Sequence, residues 1–142
     1  MPETERRLRT KGIVFFGALT VFLLLLHATD EIARGAAAQQ YAGVGVGGAV
    51  TFLILLLIPY IFGLGWTWKE RKLGYVIVLV FSPIAFLRFL GVAFSRFGSL
   101  EAIAPAYTSE AVGAFFIFIY LAFALTSLMA LLLSIYALAV RK

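Results

Sequence analysis

Four long apolar segments follow one another along the chain, and charged residues are concentrated near their ends and in the stretches between them. The segments cover approximately residues 11–31, 44–66, 73–94 and 110–140. As α-helices they are long enough to cross a hydrocarbon core, which takes about 20 residues. No strand-like alternation competes with this pattern. We therefore expect an all-α integral membrane protein, a four-transmembrane-helix bundle in which residues 1–142 form a single domain.

The stretch between the second and third segments is short, aromatic and basic. Trp66 and Trp68 are the only tryptophans, and Lys69, Arg71 and Lys72 follow them closely. Tryptophan rings prefer the level of the lipid headgroups, with basic residues just beyond them. We interpret this stretch as a turn at the membrane surface and its five residues as interface anchors.

The basic residues also predict the orientation. With both termini on the cytoplasmic side, nine basic residues are cytoplasmic and three are not. The nine are Arg6, Arg7, Arg9, Lys11, Lys69, Arg71, Lys72, Arg141 and Lys142, and the three are Arg34, Arg88 and Arg96. Because cytoplasmic segments carry an excess of Lys and Arg, we predict cytoplasmic N and C termini and a multi-pass location in the cell membrane. The polar residues 1–11 are expected to extend the first helix.

A cleavable signal peptide is the alternative for the first segment. It would have a basic start, an apolar middle and a cleavage site near Ala36, Ala37 and Ala38. The stretch before that site would be long and would carry charges, including Asp30 and Arg34. We therefore favour a retained helix.

The composition agrees with lipid as the solvent. Hydrophobic residues make up 63% of the chain and charged residues 13%, whereas soluble domains are about half apolar and about a quarter charged. The chain has no cysteine, which excludes disulfides and thiol chemistry. Its net charge of +5 is explained by the membrane-edge positions of the basic residues, so we expect no nucleic-acid partner.

One polar cluster accompanies the first segment. Asp30, Glu31 and Arg34 follow His27 by three, four and seven residues, so the four residues share one helix face. Arg88 lies at a similar depth on the third segment. An arginine inside a span needs a partner. We predict an ion pair between Arg88 and Asp30 or Glu31, and the alternative is that these charges only mark the ends of spans.

The sequence offers little catalytic or metal-binding equipment. His27 is the only histidine, which excludes a bis-histidine haem within one chain and a di-iron centre with paired Glu-x-x-His motifs. No nucleophile motif or phosphate-binding loop accompanies it. We expect no metal, no cofactor and no enzymatic activity.

Two sets of small residues indicate close helix packing. Gly43 and Gly47 are four apart, which lets helix backbones approach each other in lipid, although glycines at a helix entrance also serve flexibility. A second set recurs every four residues on the fourth segment: Ala122, Thr126, Ala130 and Ser134. We interpret it as a packing seam, either within the bundle or between copies.

Two functional hypotheses follow. The favoured one is a non-catalytic accessory, assembly or scaffold subunit that acts through helix–helix contacts. The alternative is a small oligomeric transporter or channel that uses the charged cluster around His27. The expected partners are the lipid bilayer and either another membrane protein or a second copy of the chain.

Overall fold

The computed structural model describes residues 3–33, 45–97 and 109–140, and its regular elements are all α-helices. Helix α1 covers Glu3–Ala33, α2 covers Gly45–Trp68, α3 covers Lys72–Phe97 and α4 covers Glu110–Ala139. Within these residues, the predicted all-helical fold with four helices is confirmed. Residues 3–11 of the polar N-terminal stretch belong to α1, as expected.

Two of the helices are long and apolar enough to cross a membrane. These stretches are Glu3–Asp30 and Ala111–Ala139, and the most apolar 18 residues of each have mean hydropathies of 2.1 and 2.5. The apolar stretches Leu53–Trp68 and Lys72–Leu87 are shorter. α2 and α3 stay helical through Pro59 and Pro83, and each proline removes one backbone N–H from its helix. The crossing of a membrane by all four helices stays a prediction.

The connection between α2 and α3 is a tight turn at residues 69–71. Arg71 N donates to Trp66 O at 2.9 Å, and Glu70 N donates to Thr67 O at 2.8 Å. These are the two hydrogen bonds of a Schellman motif, whose C′ residue adopts the left-handed conformation. Glu70 has a φ of 54° and occupies this position, where glycine is usual. We call the end of the bundle that carries residues 69–71 the turn end.

The helices form a ring in chain order. α1 packs on α2 and α4, and α3 also packs on α2 and α4, so α1 and α3 lie diagonally opposite. Ser109 is the N-cap of α4, and its side chain accepts a hydrogen bond from Val112 N at 3.5 Å. The extensive contact between α1 and α4 joins the first and last helices of the chain.

The interior consists of two layers of buried side chains, and each layer draws on all four helices. The layer nearer the turn end contains Ile13, Tyr60, Leu64, Tyr75, Val78, Ala130 and Ala137. The layer farther from it contains Leu23, Leu24, Ala28, Leu53, Leu56, Leu57, Ala85, Ile119, Tyr120 and Phe123. Together the two layers form the hydrophobic core of the described bundle.

Candidate functional site

His27 of the predicted cluster lies inside the bundle and packs on α4. Its side chain is buried, and its ring meets the buried ring of Tyr120 edge to face, with centroids 4.6 Å apart and planes at 60°. Such aromatic contacts add about 0.5–1.5 kcal/mol beyond area burial. His27 therefore makes a specific contact between the first and last helices.

The other members of that cluster are only partly described. Asp30 is half-buried, one turn beyond His27 on α1. Arg34 lies outside the described residues, and the side chains of Glu31 and Arg88 lie outside the described side chains. Because α1 and α3 are diagonal neighbours, an ion pair from Arg88 to Asp30 or Glu31 would cross the bundle. This pairing stays a prediction.

Hydroxyl groups from all four helices pair inside the bundle. The hydroxyls of Tyr60 and Ser82 share a hydrogen bond of 3.1 Å between α2 and α3, and Thr20 donates to Thr126 at 3.0 Å between α1 and α4. A third buried pair, Thr10 and Tyr75 at 2.7 Å, joins α1 to α3 near the turn end. Paired hydroxyls stabilise a helix bundle because an unpaired polar group costs free energy in an apolar interior.

A small cavity lies beside the Tyr60–Ser82 pair. Its volume is about 10 Å³. It is lined by Thr20, Val21, Leu24, Leu56, Leu57, Tyr60, Phe81 and Ala85. This volume is about that of one water-sized probe. The cavity is therefore too small for an organic solute.

The small-residue stripe of α4 faces the interior. Thr126, Ala130 and Ser134 are buried and Ala122 is partly buried. Thr126 contacts α1 through Thr20, and Ala130 belongs to the core layer near the turn end. The stripe is therefore occupied by neighbouring helices of the same chain along this length.

The glycines of the other predicted packing pair are placed differently. Gly43 lies outside the described residues, and Gly47 is exposed on α2. A Cβ added at Gly47 would meet nothing within 4 Å. Gly47 thus takes no part in close packing within the described bundle, and its packing against another helix stays a prediction.

The turn end collects most of the described charges. Nε of Arg6 on α1 lies 3.1 Å from a carboxylate oxygen of Glu70 in the turn. Arg9 is nearly buried, and its guanidinium carbon lies 4.4 Å from the ring centre of Tyr136 on α4, within the range of a cation–π contact. These two contacts hold the start of α1 against the α2–α3 turn and the end of α4.

A cleft opens between the start of α1 and the turn, and we call it the basic cleft. It has a volume of about 400 Å³. It is lined by Arg6, Arg7, Thr10, Lys11, Trp68, Lys69 and Glu70. Arg7 also pairs with Glu3 at 2.7 Å. Lys11 and Lys69 form no ion pair with the residues that the structure describes, so they leave the cleft strongly positive.

The predicted interface anchors all lie at the turn end, in and beside the turn. Trp68, Lys69, Arg71 and Lys72 are exposed, and Trp66 is half-buried.

Within residues 3–33, 45–97 and 109–140, no three His, Asp or Glu side chains converge as a metal-binding group would.

The sequence did not indicate the partners of several buried polar groups. A tyrosine in an apolar helix usually finds a hydrogen-bond partner for its hydroxyl, so Tyr60 and Tyr75 signalled interior polar pairs. The sequence did not indicate that Ser82 and Thr10 would be those partners. It also did not indicate that His27 would meet Tyr120, because the two residues are far apart along the chain.

No protein-family model matches the chain, and no curated protein or solved structure matches it.

Proposed function

We propose that the chain is a four-span integral membrane protein with both termini in the cytoplasm, and that it is a non-catalytic accessory or assembly subunit. The observation that carries this proposal is an exposed apolar belt on all four helices. Large exposed side chains of this belt include Phe15 and Phe22 on α1, Leu55 and Phe62 on α2, Val80 and Leu87 on α3, and Phe118 and Leu125 on α4. Monomeric soluble proteins rarely expose so much contiguous apolar surface.

The belt is free of charge along most of each helix. Residues 12–29, 45–68, 73–87 and 111–140 contain no Asp, Glu, Lys or Arg. As a helix, residues 12–29 rise about 27 Å, close to the thickness of a hydrocarbon core. Lipid is therefore the surrounding that this surface fits.

The orientation is supported by the contact between Arg6 and Glu70. It brings the basic start of α1 to the same end of the bundle as the basic turn. Two of the three segments that we predict to be cytoplasmic thus share one end, as the excess of Lys and Arg on that side requires.

The non-catalytic role is supported by what the interior polar groups do. Thr10, Thr20, Tyr60 and Ser82 each pair with another hydroxyl. The cavity beside them, of about 10 Å³, favours a subunit over a transporter that carries solutes through the bundle. The outer helix faces remain as surfaces for a partner.

The topology can be tested by cysteine labelling, because the chain has no native cysteine. Single variants Ala37→Cys and Ala102→Cys, in the predicted extracytoplasmic loops, are expected to react with a membrane-impermeant maleimide on intact cells. Lys69→Cys, in the turn, is expected to react only after the membrane is permeabilised. Labelling of Lys69→Cys in intact cells would contradict the proposed orientation, and Ala130→Cys serves as a buried control.

The subunit role predicts a stable complex with a different membrane protein. After gentle extraction from its own membrane, native mass spectrometry is expected to show this chain together with a second kind of protein. A discrete homo-oligomer that moves protons or solutes across liposomes would instead establish the transporter or channel alternative. A bare monomer under the same mild extraction would count against both roles.

A further inference from the structure

The basic cleft carries chemistry that the subunit role does not use. Four cationic side chains line it, from Arg6, Arg7 and Lys11 on α1 and from Lys69 in the turn. One carboxylate, that of Glu70, is among them and pairs with Arg6. Glu70 holds that position in the left-handed conformation, where glycine is usual. The cleft is thus a positive site in which Glu70 restrains Arg6, while Arg7 pairs with Glu3 outside the lining.

The cleft continues into an apolar stripe on α2. Ile54, Ile58, Ile61 and Trp68 are all exposed, and their spacing places them on one helix face. Gly65 lies on the same face, and a Cβ there would meet nothing within 4 Å. An open apolar track therefore leads from the belt to the cations, with the indole of Trp68, 59% exposed, where the two meet.

We propose that the basic cleft binds the phosphate headgroup of an anionic phospholipid, whose acyl chain lies along the Ile54–Trp68 stripe. This assignment rests on the proposed membrane topology. Basic pockets on the cytoplasmic side of membrane helices suit such headgroups, and a volume of about 400 Å³ lies within the range of small-molecule sites. The adjoining apolar stripe selects a lipid over a free phosphate, which has no chain to place there.

The test is a binding titration on the full chain in detergent micelles. Phosphatidylglycerol with a fluorescent acyl chain that accepts tryptophan emission is the probe, and the phosphatidylcholine analogue is the neutral comparison. Phosphatidylglycerol is expected to bind more tightly. The double variant Lys11→Gln with Lys69→Gln is expected to weaken its binding about twenty-fivefold, since each basic residue near an anionic surface contributes about fivefold.

The matched control removes the same charge from the same end of the bundle. Arg71 and Lys72 are exposed but do not line the cleft, so Arg71→Gln with Lys72→Gln is expected to weaken binding less than about threefold. Equal losses in the two double variants would reduce the effect to general surface charge and overturn the proposal. Unchanged lipid binding in both double variants would also overturn the proposal.

Two further experiments complete the test. One distinguishes a lipid phosphate from free inorganic phosphate, and the other tests whether removing the negative charge of Glu70 tightens binding. Millimolar inorganic phosphate is expected to displace the lipid no better than sulfate at equal ionic strength, and selective displacement by phosphate would overturn the lipid assignment. Glu70→Gln releases Arg6 and is expected to tighten lipid binding about fivefold. Weaker binding by that variant would contradict the charge arrangement proposed for the cleft.

The failure of this inference is distinguishable from the failure of the proposed topology. Insertion is measured separately, by flotation with vesicles and by the labelling of Lys69→Cys. A chain that inserts correctly but binds both lipids equally disproves only the lipid site. A chain that does not insert disproves the topology and the lipid site together. Unchanged helicity by circular dichroism shows that each variant is folded.

Discussion

Gly74→Ala is expected to lower the free energy of unfolding by about 3 kcal/mol or more and to open the α2–α3 hairpin. A Cβ at this position would clash with the backbone nitrogen of Thr67, and it would lie 2.6 Å from the carbonyl carbon of Trp66 and 2.8 Å from the carbonyl oxygen of Gly63. These are backbone atoms, so no side chain can rotate to make room. The hairpin must separate or bend.

The measurement is thermal unfolding in a mild detergent, followed by circular dichroism. Gly65→Ala is the matched control, because it lies on α2 near the same turn and its Cβ would meet open space. It is expected to leave the stability unchanged or to raise it by up to about 1 kcal/mol, through higher helix propensity. Equal melting temperatures for the two variants would show that α2 and α3 do not approach as closely as described.

Ala130→Leu is expected to cost about 2–3 kcal/mol and to lower the melting temperature by roughly 5–10 °C. Ala130 is fully buried, in the core layer that also contains Ile13, Tyr60 and Val78. A leucine adds three carbon atoms where neighbouring helices already meet α4. Because this position is at the centre of the small-residue stripe, the variant measures whether the stripe is needed inside the bundle.

The control for this variant is Ala114→Leu on the exposed part of α4. It makes the same chemical change on the same helix and is expected to change the melting temperature little. If Ala130→Leu left the monomer as stable as Ala114→Leu but abolished an oligomer, the stripe would be a seam between copies. A loss of stability in the monomer itself assigns it to the bundle.

The number and approximate extent of the helices could be predicted because the interruptions are chemically distinct. Trp66, Trp68 and the basic residues after them mark the α2–α3 turn, and the structure ends α2 at Trp68. The extension of α1 toward its N terminus was also predictable, since residues 3–11 contain no helix-breaking residue.

The packing faces could not be predicted from the same pattern. These helices are apolar on nearly all sides, so hydrophobicity does not distinguish an inward position from an outward one. Leu24 is buried while Leu25 is exposed, and Leu57 is buried while Ile58 is exposed. In each pair the two residues have similar hydrophobicity, and only the neighbouring helix decides between them.

The polar contacts were hidden for a related reason. The pairing of Arg6 with Glu70 depends on the start of α1 reaching a turn more than sixty residues later. The basic character of both stretches predicted a shared side of the membrane, but not that one acid would join them. Likewise, the spacing that grouped His27 with Asp30 described one helix face and contained no information about Tyr120.

The contact between α1 and α4 also sets an order of events during synthesis. Thr20 and Thr126, which pair across this contact, are 106 residues apart. At roughly 5–20 residues per second, α1 leaves the ribosome about 5–20 seconds before its main partner is complete. The α2–α3 hairpin is also synthesised before α4. The side of α1 that packs on α4 therefore stays uncovered until α4 is complete. The last helix closes the bundle, so truncation before α4 is expected to leave the sides of α1 and α3 that pack on α4 uncovered.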